Sequence, residues 1–263
     1  MNPEQKLKEI GVNPGKGQNF LNNEHVIEAL VEAGEVDQHK TLEIGGGLGA
    51  ITEKLTEKTS DLTVLELDSG LAEYLRTEFP SVVVEEGDVL ETDLSEFERC
   101  VSNIPFEISS DIIRGLGENQ IQSSLIVQEA LADKIVLDPG EADYNFFSLI
   151  VNYYFVPVKL RTVKAYNFHP SPDVDAAIIK LYPNKERHEV VDEEKFLNVS
   201  KALFTHKRKK VRNALVDSRN MLDLNKDEIK EVRDEAPYSE KRVIELDVKK
   251  LAEVAEWFES NLY

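Results

Sequence analysis

The first feature that points to chemistry is a glycine-rich segment at residues 43–50, where a short apolar run gives way to a helical pattern. Gly45, Gly47 and Gly49 are spaced G-x-G-x-G. Glycines at such a turn let the backbone bend tightly and approach a ligand without an intervening Cβ. A tight strand-to-helix turn alone also favours glycine. Neither Lys nor Arg lies in the loop or immediately after it to meet a pyrophosphate.

Two acidic residues follow at the ends of the next predicted strands. Glu66 lies 17 residues after Gly49, near the spacing of about 20 at which an acid binds ribose hydroxyls. Asp88, after the following strand, is placed to accept from an adenine amino group. An alternative role for Glu66 and Asp68 is to cap the following helix, and for Asp68 this explanation is at least as good as ligand binding. Asp88, taken alone, is typical of a turn. Because these strand ends share one crevice, we expect both acids to face the same ligand. An acid for ribose and an acid for adenine, with no Lys or Arg for a pyrophosphate, favour a ligand with an adenosine end and no phosphates. S-adenosylmethionine fits better than NAD or ATP.

The most informative stretch is Asn103-Ile104-Pro105-Phe106, at the end of the fourth predicted strand. The amino nitrogen of adenine is a poor nucleophile because its lone pair is delocalised, and a site helps by accepting hydrogen bonds from both N–H groups. The Asn103 side-chain carbonyl and the Ile104 backbone carbonyl supply two acceptors. Pro105 fixes φ, and Phe106 stacks on the base. A strand exit with a core Phe explains the tetrapeptide alone equally well, but after the glycines and acids we favour the catalytic interpretation.

Strand-like runs and helical patterns alternate through the first two thirds of the chain. The predicted strands are rich in β-branched residues and Leu: 41–44, 62–67, 82–85, 100–104, 124–128, 158–163 and 176–182. The predicted helices between them are 50–58, 70–77, 110–115 and 130–137. This alternation predicts a doubly wound, mostly parallel, Rossmann-like α/β sheet. After residue 192 the pattern indicates helices only. We therefore place one domain at 1–183, which holds the predicted cofactor site, and a small helical domain at 184–263.

The composition excludes several classes of protein. With 41% hydrophobic residues the chain can bury a core. No apolar run approaches the roughly 20 residues that cross a bilayer, and the polar N-terminus shows no secretory signal. The single cysteine, Cys100, excludes an intramolecular disulfide, and no Cys/His cluster suggests a metal. We expect a soluble cytoplasmic protein with no membrane partner and no metal.

The net charge of −19 argues against a nucleic-acid partner, because acidic proteins repel phosphates. The charge is uneven, however. Residues 1–183 carry 14 basic and 32 acidic side chains, whereas residues 184–263 carry 17 and 18. The C-terminal segment is thus relatively basic, and it contains a basic run, Lys207-Arg208-Lys209-Lys210, with Arg212 beyond it. Such a run is most often a solvated helix face.

Together these motifs resemble those of the KsgA-type rRNA adenine dimethyltransferases over nearly the whole chain. Residues 17–22 resemble the family's N-terminal motif, and Asn103–Phe106 matches its catalytic loop. Further counterparts are the glycine loop, the segments around Glu66 and Asp88, and residues 167–176 (the family's Phe-x-Pro-x-Pro-x-Val-Asp stretch). Residues 204–215 resemble the family's basic helix in the C-terminal domain. Many methyltransferases share the glycine loop. Gln-Asn-Phe-Leu, Asn-Ile-Pro-Phe and Arg-Lys-Lys…Arg-Asn together are specific.

The resemblance implies an enzyme that places two methyl groups on N6 of each of two adjacent adenosines near the 3′ end of small-subunit rRNA, during ribosome maturation. By position it assigns the cofactor site to Asn19, Leu21, Gly45, Gly47, Glu66, Asp88 and Asn103. It assigns the target base to Asn103, Pro105 and Phe106. The family often has Tyr where Phe106 stands, so stacking remains but a phenolic hydroxyl plays no part. The acidity of the first domain is atypical for an RNA binder.

For the basic run, the family position and the surrounding charge favour rRNA phosphate contacts by Lys207, Arg208, Lys209, Lys210 and Arg212. Three alternatives to this function stay open. A methyltransferase of the antibiotic-resistance type would act on large-subunit rRNA, although the Arg-Lys-Lys-Val-Arg-Asn segment speaks against it. An assembly factor that no longer methylates would not need the Gly45/Glu66/Asp88/Asn103 set. A small-molecule or protein methyltransferase would not need the basic segment. The sequence shows no sustained apolar face for a second copy, so we expect a monomer. Its expected partner is small-subunit rRNA in a pre-ribosomal particle.

Overall fold

The computed structural model describes residues 3–12, 18–188 and 190–262. Gly17, the first residue of the N-terminal motif, lies outside the described residues. The strands are β1 (Phe20–Leu21), β2 (Thr41–Ile44), β3 (Leu62–Glu66), β4 (Val83–Glu86), β5 (Arg99–Asn103), β6 (Gln122–Gln128), β7 (Phe155–Val163), β8 (Phe168–His169) and β9 (Ala176–Pro183). The helices are α1 (Pro3–Ile10), α2 (Glu24–Gly34), α3 (Ala50–Thr56), α4 (Ser69–Glu78), α5 (Ser109–Glu118), α6 (Glu129–Ile135), α7 (Phe146–Tyr154), α8 (Glu193–Phe204), α9 (Val211–Asp217), α10 (Lys226–Val232) and α11 (Val248–Leu262).

Seven strands form one twisted sheet in the order β4-β3-β2-β5-β6-β9-β7. The first five are parallel. At one side β9 runs antiparallel to β6, and the edge strand β7 runs antiparallel to β9. The chain order reverses between β2 and β5, and ligands of doubly wound sheets bind at such a reversal, beyond the carboxyl ends of the strands. The predicted α/β class and the helical C-terminal region are both confirmed. A separate two-stranded sheet pairs β1 with β8.

The predicted strands and helices of the sheet region are present, with ends that shift by up to three residues. Strands β2 and β3 are buried on both faces, as is usual for central strands of a parallel sheet. The edge strand β4 is mostly exposed. Asp68 is the N-cap of α4, where its carboxylate accepts from the Leu71 N–H at 2.9 Å. The capping interpretation of Asp68 is therefore confirmed.

The described chain forms two compact units. The first contains described residues of Met1–Asp133 and Phe155–Pro183, and the second those of Lys134–Tyr154 and Asn184–Tyr263. One limit of this division falls after Pro183, where the sequence places the boundary. The sequence does not predict that Lys134–Tyr154 groups with the C-terminal helices. Helix α7 buries six of its nine residues, and an apolar helix of this kind needs neighbours on most sides.

Aromatic contacts hold the second unit together. The ring of Phe204, at the end of α8, lies 5.8 Å from Tyr144 and 6.3 Å from Phe146. The hydroxyls of Tyr153 and Tyr154 donate to the two carboxylate oxygens of Glu193, at 2.9 and 2.6 Å. The predicted apolar faces of α8 and α11 are buried. Among the described residues, no helix is both long and apolar enough to cross a membrane.

Candidate active site

The glycine loop links β2 to α3 and adopts a backbone that few other residues tolerate. Gly45, Gly47 and Gly49 have φ of 72°, 55° and 80°, in the left-handed region. A Cβ on Gly49 would lie 2.4 Å from the ring of Phe79. The Gly45 N–H donates to the Leu65 carbonyl at 2.8 Å, which ties the loop to the end of β3. The loop thus presents bare backbone to the crevice at the strand reversal.

Glu66 stands beside this loop at the end of β3. One carboxylate oxygen accepts from the Gly47 N–H at 2.9 Å and the other from the Asp68 N–H at 3.0 Å. The side chain is buried, and this burial raises the pKa of Glu66, while the two backbone N–H groups oppose the rise. Each oxygen keeps a further lone pair. Glu66 therefore braces the loop and still has acceptors for a ligand.

Asp88 lies at the end of β4 and lines the same crevice. Its carboxylate accepts from the Leu90 N–H at 2.9 Å, and its backbone carbonyl accepts from the Thr92 hydroxyl at 2.8 Å. The turn function that its sequence position suggests is therefore present. That function uses one lone pair of one carboxylate oxygen, so others stay available to a ligand.

The tetrapeptide at 103–106 leaves β5 at the next strand end. The Asn103 side-chain NH2 donates to the Asn19 carbonyl at 2.9 Å. Because a carbonyl can only accept, this bond fixes which end of the Asn103 amide is the oxygen and leaves that oxygen as an acceptor. Pro105 has φ −57°, and its carbonyl accepts from the Ser109 hydroxyl at 2.8 Å. Phe106 is half-buried and lines the crevice.

The crevice itself is a cleft of about 520 Å³. Its walls include the strand ends after β2, β3, β4 and β5, together with β1 and its flanks. The cofactor-site and target-base residues of the sequence prediction all line it: Asn19, Leu21, Gly45, Gly47, Glu66, Asp88, Asn103, Pro105 and Phe106. The structure thus brings together side chains from positions spread over nearly ninety residues.

The cleft is electrostatically negative. Its charged lining residues are Glu24, Glu53, Lys54, Glu66, Asp88 and Glu107. Lys54, the one cation among the described lining residues, is paired with Glu24 and Glu57, each at 3.4 Å. Such a lining attracts a cationic ligand and repels a polyphosphate. This agrees with the sequence interpretation that the ligand carries adenosine without phosphates.

Glu43 is an unpredicted polar residue beneath the glycine loop. It lies in β2 and is 1% exposed. The Thr52 hydroxyl donates to one of its carboxyl oxygens at 2.6 Å, and the other oxygen has no partner among the described residues. Burial raises the pKa of Glu43 to about 8, and Glu66 adds a smaller electrostatic contribution in the same direction. Glu43 is therefore largely protonated at neutral pH. The one sequence signal was a charged residue inside a four-residue apolar strand.

The basic run belongs to the second unit and is largely paired within it. Residues 207–210 lie in the turn between α8 and α9, so the expected basic helix is interrupted there. The Lys207 ammonium donates to the carbonyls of Ala142 and Tyr144, at 3.1 and 2.8 Å. Lys209 pairs with Asp217 at 2.7 Å. Lys210 and Arg212 both pair with Glu240. Among the described residues, only Arg208 of the five has a side chain without a partner, and it is exposed. The five residues thus share a segment but differ in how free their charges are.

Comparison with known proteins gives consistent results. Residues 12–252 match the family model described as ribosomal RNA adenine dimethylase. The chain is 38% identical over 259 residues to the probable ribosomal RNA small subunit methyltransferase A of Thermococcus onnurineus, covering 96% of this chain and 94% of that protein. It is 35% identical to the protein of the same name from Methanosarcina acetivorans, covering 90% of each.

Two solved structures share the fold. A dimethyladenosine transferase from Plasmodium falciparum superposes with a TM-score of 0.79 at 24% identity, covering 92% of this chain and 98% of that one. The 23S rRNA methyltransferase ErmE superposes with a TM-score of 0.63 at 21% identity, covering 92% and 100%. At these identities the likeness concerns the fold alone.

Replacing Glu43 with Gln tests its protonation. In the folded protein Glu43 keeps its proton up to a pKa of about 8, whereas the unfolded chain loses it near 4.5. Between these values the folded state binds the extra proton, so the contribution of Glu43 to stability falls as pH rises and levels off above about 8. Gln cannot ionise and still accepts from Thr52. We expect the free energy of unfolding of Glu43→Gln, relative to wild type, to increase steadily from pH 5 to 8 in urea titrations.

The matched control is Glu78→Gln, which removes an exposed carboxylate from the same unit. Its difference from wild type should change little over this range. A Glu43→Gln difference that does not vary with pH would show that Glu43 is ionised in the folded protein.

Proposed function

This chain belongs to the ribosomal RNA adenine dimethylase family, and from that premise we propose that it transfers methyl groups from S-adenosylmethionine to N6 of two adjacent adenosines near the 3′ end of small-subunit rRNA. The chain is an rRNA adenine dimethyltransferase. The proposal concerns the methyl donor, the pair of adenosines, an immature small subunit as substrate, and a monomeric cytoplasmic enzyme. The observation that carries it is the fixed orientation of the Asn103 amide at the rim of an acidic cleft.

The cleft fits the proposed donor. Glu66 offers carboxylate lone pairs for the ribose hydroxyls, and Asp88 offers one for the adenine amino group. The glycines of the loop, whose φ is positive, expose backbone beside these two acids. When bound, S-adenosylmethionine supplies an electrophilic methyl group on a positively charged sulfonium. The negative lining of the cleft attracts that charge, and it disfavours nucleoside polyphosphates.

The residues of the tetrapeptide orient the acceptor. The Asn103 side-chain oxygen and the Ile104 carbonyl accept the two N–H groups of adenine and so aim the lone pair of N6. Phe106 stacks on the ring, and Pro105 restricts the backbone that carries the Ile104 carbonyl. After one transfer a single N–H remains, and one acceptor still holds the nitrogen for the second transfer. The released proton passes to solvent, so positioning and electrostatics supply the catalysis.

The C-terminal unit supplies the proposed rRNA contacts. Arg208 is exposed and free of carboxylates, whereas Lys209, Lys210 and Arg212 must exchange a carboxylate for a phosphate. Lys207 donates to two backbone carbonyls, so we assign it to the folding of its unit. Of the five residues predicted to bind RNA, we retain four, and Arg208 should contribute most.

The direct test offers labelled S-adenosylmethionine with immature small or large ribosomal subunits, in parallel and at several salt concentrations, and identifies the methylated nucleosides. Dimethyladenosine at two adjacent positions of the small subunit alone supports the proposal. Label on the large subunit would favour an enzyme of the resistance type. Binding to small subunits without any label would instead favour an assembly factor.

Asn103→Ala should reduce kcat by about 10²-fold or more, because it removes an acceptor aimed at the reacting nitrogen. The affinity for S-adenosylhomocysteine, measured by calorimetry, should change far less, since Glu66, Asp88 and the glycine loop remain. Asn119→Ala is the control. It also removes a side-chain hydrogen bond in the first unit, to the Gly115 carbonyl at the end of α5, and it should leave kcat unchanged. Wild-type turnover in Asn103→Ala would refute the assigned role.

Arg208→Gln should weaken rRNA binding and reduce the slope of log K against log salt by about one, the value for a single lost phosphate contact. Glu240→Gln should act in the opposite direction, because it releases Lys210 from its carboxylate and leaves Arg212 paired with Asp234 alone. Filter binding of an rRNA fragment at four or five salt concentrations measures both effects.

Lys207→Gln is the matched control within the same run. It should lower the Tm, because two backbone carbonyls lose their charged donor, while leaving the salt slope as in wild type. Equal slopes for Arg208→Gln and wild type would refute the phosphate contact assigned to Arg208.

A further inference from the structure

Asn167 stands directly before the Phe-x-Pro-x-Pro-x-Val-Asp stretch, a motif that the proposed chemistry leaves without a role. Its side chain is buried, with 6% exposure, and uses both ends of its amide. The side-chain oxygen accepts from the Asn23 side-chain NH2 at 2.8 Å, and its own NH2 donates to the Lys164 carbonyl at 2.9 Å. Its backbone carbonyl accepts from the Asn22 N–H at 2.9 Å. Asn167 thus holds the chain just after β1 by hydrogen bonds to Asn22 and Asn23.

The same short segment leads to Asn103. Strand β8, which follows Asn167, pairs with β1 in the register Phe20↔His169 and Leu21↔Phe168. Asn19 precedes β1 by one residue, and its carbonyl holds the Asn103 amide. On the buried side, Leu21 and Phe168 are part of the apolar core. The position of the Asn19 carbonyl therefore depends on β1, and β1 is fixed by β8 and by Asn167.

We propose that Asn167 is a positioning residue for methyl transfer, which fixes β1 through Asn22 and Asn23 so that the Asn19 carbonyl holds the Asn103 amide. The assignment rests on the proposed function. Asn167 does not line the cleft, so it acts through Asn103 and is not itself catalytic. An amide suits this position because it must accept from one neighbour and donate to another at once.

The effect of losing Asn167 should appear in turnover more than in binding. Displacing a reacting group by about 1 Å costs about 10²-fold in rate, whereas most donor contacts of the cleft lie on β2, β3 and β4 and do not depend on Asn167. In Asn167→Ala we therefore expect kcat to fall about ten- to a hundredfold. The KM for S-adenosylmethionine should change much less.

Two further variants separate positioning from damage to the fold. Asn23→Ser keeps a hydroxyl to cap α2, where the Asn23 side chain accepts from the Val26 N–H, but removes the NH2 that Asn167 accepts from. It should lower kcat in the same manner with little change in Tm. Asn119→Ala again serves as the control for the loss of a side-chain hydrogen bond elsewhere in the unit.

A readout without chemistry keeps the inference distinct from the proposed function. The side-chain NH2 of Asn103, hydrogen-bonded to Asn19, should give two well-separated NMR resonances in the wild-type protein. These should shift or broaden in Asn167→Ala and in Asn23→Ser, and stay in place in Asn119→Ala. Unchanged Asn103 resonances together with wild-type kcat would overturn the inference. An inactive wild-type enzyme with perturbed resonances in the variants would instead overturn the proposed function and leave the positioning role standing.

Discussion

The hydrogen bond from the Asn103 amide to the Asn19 carbonyl is the interaction on which the site depends. An asparagine offers a donor and an acceptor at nearly equal distance, and only its partner decides which end faces the substrate. Here the partner is a backbone carbonyl, which can only accept, so the oxygen of Asn103 is left as an acceptor, and we propose that it receives the amino group of adenine. The orientation of the Asn103 side chain on β5 is thus set by Asn19, which directly precedes β1 of the small β1–β8 sheet.

Charge explains how an acidic protein can serve RNA chemistry. The negative side chains dominate residues 1–183, where an acidic cleft suits a sulfonium donor, whereas residues 184–263 are nearly neutral. Within the second unit, pairing with Asp217 and Glu240 neutralises most of the basic run. Net charge therefore says little about where phosphates bind. The pairing of each cation says more, and it singles out Arg208.

The sequence predicted what is local. Glycine spacing, strand ends and the tetrapeptide identified the residues of the cleft, because each is a short segment whose chemistry shows in its own residue types. It did not predict contacts between distant segments. Asn23 and Asn167 are 144 positions apart, and Lys207 and Tyr144 are 63 apart. The sequence around these residues contains no pattern that indicates which distant residue each one contacts. For the same reason the sequence did not predict that Lys134–Tyr154 groups with the C-terminal helices. Helix α7 is buried on most sides, so its apolar pattern does not indicate which elements it packs against.

Glu43 and Glu66 are two buried carboxyl groups near the glycine loop, and they differ in the hydrogen-bond donors that they receive. Glu43 lies within β2 and Glu66 ends the neighbouring strand β3, and burial raises the pKa of both. Glu66 receives two backbone N–H groups, from Gly47 and Asp68, which favour its charged form. Glu43 receives one hydroxyl, and the nearby Glu66 opposes a second negative charge. The carboxyl that lines the cleft is therefore the one whose ionised form is supported, whereas the one beneath the loop stays neutral and adds no repulsion of its own. The glycine loop thus supplies one of the N–H groups that favour the charged form of Glu66.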